Sequence, residues 1–106
     1  MEYINKIELR GNVGNVRIKD VGNKRVAQMT VATNLLYRTK DGCPVIEATW
    51  HNVTAFEGKE IHDLEKIKKG CCVYIVGRIR NQRYTSADGE PRYCAEVLAN
   101  SISILN

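Results

Sequence analysis

The chain has 106 residues, enough for one domain with one buried core and too few for several. A hydrophobic fraction of 43% beside 26% charged residues excludes a disordered or low-complexity chain, and no apolar run approaches the roughly 18 residues of a membrane span. The net charge of +4 favours a polyanionic partner without requiring one.

The N-terminus shows no basic segment followed by an apolar one, so the expectation is a cytoplasmic protein without a signal peptide. The first strand alternates cleanly. Ile7, Leu9, Gly11 and Val13 share one face and Lys6, Glu8, Arg10 and Asn12 the other. Gly11 and Gly14 mark a bend or bulge. Val16-Arg17-Ile18 continues the strand to a turn at Val21-Gly22-Asn23-Lys24. A second strand runs from about Arg25 to Thr33 with Ala27, Met29 and Val31 inward. Residues Asn34 to Pro44 read as a long loop, with turn formers at Asp41-Gly42-Cys43-Pro44. A third strand covers Val45 to Phe56. From Gly58 to Lys69 the apolar residues Ile61, Leu64 and Ile67 recur every third position among charges, which predicts a short amphipathic helix closed by Gly70. A fourth strand spans Cys71 to about Tyr84, with Val73, Ile75, Gly77 and Ile79 on one face and Tyr74, Val76, Arg78 and Arg80 on the other. A hairpin turn at Ala87-Asp88-Gly89-Glu90 leads to a last strand, Arg92 to Ile104. Three strands, a helix and two strands is the order of the OB-fold, an all-β, five-stranded Greek-key barrel with one short helix between strands 3 and 4. The whole chain, 1–106, reads as one such domain.

Chemistry is concentrated in the strands. Trp50, Asn52, Thr54 and Phe56 share a face that is otherwise polar. Large aromatics on a polar face suit base stacking. Partial burial at a barrel end or a subunit contact fits strand geometry equally well. Arg78, Arg80 and Gln82 share a face of the fourth strand, followed by Arg83-Tyr84, with Arg92 and Tyr93 across the hairpin. Arginines interleaved with aromatics serve phosphate and base together, although a solvated edge carries charges too. Tyr37-Arg38-Thr39-Lys40 repeats the combination in the long loop. No catalytic constellation is present: there is no nucleophile elbow and no phosphate-cradling glycine loop, and the carboxylates are scattered. His51 reads as packed or at an interface rather than as a general base. Cys43, Cys71, Cys72 and Cys94 lack CxxC spacing, and His51 and His62 do not complete a zinc set, so free thiols, no metal and no cofactor are expected.

Five stretches, taken in order, resemble the bacterial single-stranded DNA-binding protein (SSB) family. They are Asn5 to Gly14, Met29 to Thr33, Glu47 to Val53, Lys69 to Arg80 and Arg83 to Gly89. The resemblance implies binding of single-stranded DNA without marked sequence preference, in replication, recombination or repair, by a nucleoid-associated homotetramer, with a dimer as the alternative. It assigns base stacking to Trp50, Phe56, Tyr37 and Tyr84, phosphate contacts to Lys6, Arg17, Lys69, Arg80 and Arg83, and a subunit contact to His51. The residue pattern itself adds Arg78, Arg38 and Lys40 to the candidate cations. Three departures stand out: Tyr replaces the family's usual Trp at 37 and 84, Asn52 stands where a basic residue is common, and the sequence stops at Asn106 without an acidic-tipped tail. The last implies that tail-mediated docking of replication enzymes is absent from this chain. A tail-less primosomal accessory protein of the PriB type, or an OB module that binds protein alone, are the competing readings.

Overall fold

The computed structural model describes residues 1–61 and 64–105. Five strands, β1 (Ile7–Val21), β2 (Lys24–Arg38), β3 (Pro44–Phe56), β4 (Cys72–Thr85) and β5 (Pro91–Ile104), close a barrel in the order β1-β2-β3-β5-β4. This is the predicted OB-fold arrangement.

β1 serves two neighbours. Its first half pairs with β4, from Ile7 opposite Gly77 to Asn12 opposite Cys72, and the rest pairs with β2, from Asn12 opposite Ala32 to Val21 opposite Lys24. The strand changes partners through a bulge between Val13 and Val16, where Gly14 sits. Gly11 is fixed by crowding: a Cβ there would lie 2.1 Å from the carbonyl oxygen of Ala32. The predicted inward faces form the core, with Leu9 and Val13 from β1, Ala27, Met29 and Val31 from β2, and Val73 and Ile75 from β4, joined by Val53, Ala55, Val97 and Ala99. Burial of this apolar surface drives the closure.

Two expectations change. The Asn34–Pro44 segment is not a long loop. β2 continues to Arg38 and pairs with β3 out to Pro44, leaving only residues 39–43 as a turn. Only Asp41-Gly42 demands turn geometry, with Gly42 at φ 87°, whereas Leu35-Leu36-Tyr37 pairs as readily as any strand residue. The predicted helix between β3 and β4 is, among the described residues, a single 3-10 turn at Leu64–Lys66. His62 and Asp63, which that helix included, lie outside the described residues. The apolar residues Ile61, Leu64 and Ile67 are buried as expected. A strict three-residue spacing drifts off one face of an α-helix of 3.6 residues per turn, so the triplet does not by itself require one. They plug one end of the barrel, and Gly70 (φ 92°) returns the chain to β1 through a 2.8 Å hydrogen bond from its N–H to the Val13 carbonyl.

The joint between β3 and β5 positions everything that follows. These strands are parallel and meet only at Val53 opposite Val97 and Thr54 opposite Leu98. N-terminal to the joint both strands leave the barrel, β3 paired with β2 and β5 paired with β4. Because the two strands run parallel, both two-stranded arms leave on the same side. Ile79, predicted inward, is exposed where β4 passes into its arm beyond a register shift at Val76/Gly77.

Candidate nucleic-acid interface

Residues directly opposite in an antiparallel pair share a face, so the register defines a surface. Trp50 stands opposite Ala32, Asn52 opposite Thr30, and Thr54 opposite Gln28, which in turn faces Arg17 of β1. On the facing arm Gln82 stands opposite Cys94 and Arg80 opposite Glu96. Between these two walls lies a groove of about 500 Å³, lined by Asn15, Arg17, Gln28, Thr30, Asn52 and Thr54 on one side and by Gln82, Cys94 and Glu96 on the other. Amides and hydroxyls make up half of its lining, Val16, Met29 and Val53 add apolar atoms, Arg17 and Glu96 bring the charges, and the Asn52 amide approaches the Cys94 sulfur at 3.7 Å.

Trp50 stands beyond Asn52 on the same face of β3 and lines a smaller pocket that shares Asn52 and Glu96 with this groove. Trp50 is 59% exposed, and its ring reaches past β2 to Gly14 of β1. A Cβ on Gly14 would meet Cζ3 of the indole at 2.4 Å and Thr30 Oγ1 at 2.9 Å. The missing side chain of Gly14 therefore leaves room for the indole over the bulge, and Thr30 holds that bulge by accepting a 3.0 Å hydrogen bond from the Asn15 N–H. Phe56, at the far end of β3 opposite Val26, stays 39% exposed on the same face. Tyr84, opposite Arg92, extends the Arg80–Gln82 face along the second arm.

The remaining candidates divide. Arg17 lines the groove. Arg78 shares the Arg80 face, opposite Leu98, and is exposed. Arg38 lies on the Trp50 side of the β2–β3 arm, where its Nη1 donates to the Gly42 carbonyl at 3.1 Å, and Lys40 occupies that arm's turn. Arg83 is opposite Tyr93, on the other side of its arm from Tyr84. Tyr37 is opposite Val45 and alternates onto the side of Thr33 and His51, away from Trp50. Lys6 is exposed beside Asn5, whose side chain clasps both backbone groups of Ile79 at 2.7 and 3.0 Å. Lys69 is exposed at the plugged barrel end. His51 is half-buried, with Nε2 2.9 Å from Thr33 Oγ1.

Sequence reasoning missed the groove floor. Glu96 is buried, accepts a 2.8 Å hydrogen bond from Thr54 Oγ1 and takes Arg80 Nε at 2.5 Å. A lone acid on the Cys94–Glu96–Leu98 face, across a hairpin from an arginine, was the available signal. Gly14 was legible as a bulge but not as a seat for Trp50. No disulfide joins Cys43, Cys71, Cys72 or Cys94, and among the described residues no cluster of His, Cys, Asp and Glu could hold a metal.

A sequence profile described as the single-strand binding protein family matches residues 4–105. The chain belongs to that family. Among its relatives, the single-stranded DNA-binding protein of Xylella fastidiosa (strain Temecula1) is 38% identical over 106 residues, covering 96% of this chain and 63% of the relative. The corresponding protein of Neisseria meningitidis serogroup B is 31% identical over 105 residues, covering 96% and 60%. The chain thus spans less than two thirds of the length of these relatives. A solved structure of a Plasmodium falciparum SSB in complex with ssDNA superposes with a TM-score of 0.83 at 25% identity, covering 100% of this chain and 98% of that one. The Thermus aquaticus single-stranded DNA binding protein shares the fold, with a TM-score of 0.76 at 17% identity. Family membership accounts for the order of strands.

Proposed function

We propose that this chain binds single-stranded DNA by stacking bases on Trp50 and tracking phosphates with exposed cations, without marked sequence preference and without catalysis. The observation that carries the reading is the indole of Trp50, half-exposed and packed against Gly14 on the face of β3 that lines the groove. Every base has a π-face, so such a platform accepts any sequence. Polar side chains along the groove replace the hydration of base edges, and Arg17, Arg38 and Arg78 supply charge along its length. Phe56 and Tyr84 extend the stacking surface at its two ends. Tyr37, Arg83, Lys6, Lys69 and Lys40 lie outside the groove and serve a strand that wraps beyond it.

Such a protein shields exposed single strands during replication, recombination or repair in the cytoplasm. Exposed Leu35, Leu36 and Ile46 on the β2–β3 arm favour assembly with further copies, as a homotetramer, with His51 at a contact. A second copy in the same particle multiplies weak contacts by raising effective concentration.

Trp50 is the only tryptophan, so its fluorescence reports this site alone. Oligo(dT) is expected to quench it strongly, and a duplex of equal length to leave it nearly unchanged. Equal response to both, or to neither, contradicts the reading.

A further inference from the structure

The groove floor holds an acid where a polyanion is to bind. The Glu96 side chain is 4% exposed, against 39% for its partner Arg80. One carboxylate oxygen takes Arg80 Nε at 2.5 Å, and the other accepts from Thr54 Oγ1 at 2.8 Å. Both oxygens are engaged, and no buried polar side-chain atom among the described residues lacks a partner. Arg80 Nε is committed to Glu96, and a phosphate that drew the guanidinium away would leave Glu96 buried and uncompensated, which is strongly unfavourable.

We infer that Glu96 is a charge-balancing residue that withdraws Arg80 from phosphate contact and so weakens and flattens the electrostatic part of single-strand binding. This rests on the proposed function and deepens it. The Arg80–Glu96 pair leaves that stretch of the floor at zero net charge, so bases rather than phosphates face it. Arg17, on the opposite wall, keeps its charge for the backbone, since no carboxylate pairs with it among the ion pairs of the described residues. Arg80, which the family resemblance assigns to phosphate, is thereby given a different part: it neutralises the floor.

The test is the salt dependence of oligo(dT) affinity in three full-length chains: the parent, Glu96→Gln, and Arg80→Gln/Glu96→Gln. Each phosphate neutralised on a single strand contributes a log–log slope of about −0.7. Glu96→Gln keeps the shape of the floor and its bond to Thr54 while releasing the Arg80 charge. Its slope is expected to be steeper than the parent's by about 0.7, so that raising salt from about 50 to about 200 mM costs it roughly threefold more affinity than it costs the parent. The double variant restores net neutrality and is expected to match the parent slope. An unchanged slope for Glu96→Gln, or a double variant shallower than the parent by about 0.7, overturns the inference, because either outcome makes Arg80 a phosphate contact in the parent. Should Glu96→Gln prove unfolded by circular dichroism, the double variant still decides through the second criterion. A parent that fails to bind oligo(dT) at any salt refutes the proposed function, not the role of Glu96 within it.

Discussion

A glycine and a tryptophan thirty-six positions apart act as one unit here. Trp50 is mostly solvent-exposed, so its ring contributes little to the core. Its orientation depends on the missing side chain at Gly14, whose backbone needs no left-handed conformation and whose value is space alone. Trp50→Ala is expected to weaken oligo(dT) binding by about 1–3 kcal/mol while changing stability by no more than about 0.5 kcal/mol, as for other surface substitutions. Gly14→Ala pushes the free end of the indole away rather than the backbone. It is expected to reproduce most of the binding loss with Trp50 still present and with a smaller fluorescence response. Titration calorimetry beside chemical denaturation checks both. Normal binding by Gly14→Ala would show that the seated indole is not the stacking surface.

The alternation of β1 and β3 made the inward rows and the exposed aromatic face legible from sequence, because period two fixes which side a residue takes. It did not show which faces of different strands meet. Tyr37 and Tyr84 look equivalent as aromatics beside arginines, yet pairing puts Tyr84 on the groove side of its arm and Tyr37 on the far side of the other. Arg80 reads as one more free cation until Glu96 is placed across the hairpin from it. Such partnerships are long-range, and no local pattern encodes them.

Among the elements, the two arms repeat one device at their tips. Thr39-Lys40-Asp41-Gly42-Cys43 and Ser86-Ala87-Asp88-Gly89-Glu90 close with the same backbone bonds. Thr39 and Ser86 donate N–H to the Cys43 and Glu90 carbonyls, and accept from Gly42 and Gly89 on their own carbonyls, all at 3.0 Å. In each turn the first hydroxyl donates to the aspartate, Thr39 to Asp41 and Ser86 to Asp88. Those hydroxyls are the main cause that holds both carboxyls below their ordinary 3.8, with backbone N–H groups adding to the effect. A carboxyl with a depressed folded pKa stabilises the fold above its unfolded value and ceases to do so as pH falls through the folded one. The arm tips are therefore expected to hold at neutral pH and to loosen only below the ordinary carboxylate range. The amide resonances of Gly42 and Gly89 should titrate with midpoints below 3.8, and Asp41→Asn should abolish the transition at Gly42 alone. Midpoints above 3.8 contradict the hydroxyl–carboxylate closure. Asp-Gly was readable as a turn signal at both sites. The length of the first arm was not, because its strand residues carry neither a buried face nor a strict alternation to announce them.

At the scale of the whole molecule, one parallel joint organises the surface. Had β3 and β5 paired along their length, no groove would open between the arms. With only Val53–Val97 and Thr54–Leu98 in register, the arms leave together and bracket the Trp50 face. The fold class was legible because five alternating segments and an apolar triplet fall in OB-fold order, but the joint was not, since a parallel contact between distant strands leaves no local trace. Which face of each arm meets the strand therefore decides how the DNA runs. Photocrosslinking with 5-iododeoxyuridine oligonucleotides, mapped by mass spectrometry of the crosslinked peptides, tests this most directly. The bound strand is expected to crosslink chiefly at Trp50 and Tyr84, on the groove side of the arms, and less at Tyr93, which shares the reverse of the second arm with Arg83. Crosslinks concentrated on Tyr93 in place of Trp50 and Tyr84 would contradict the groove as the path of the DNA.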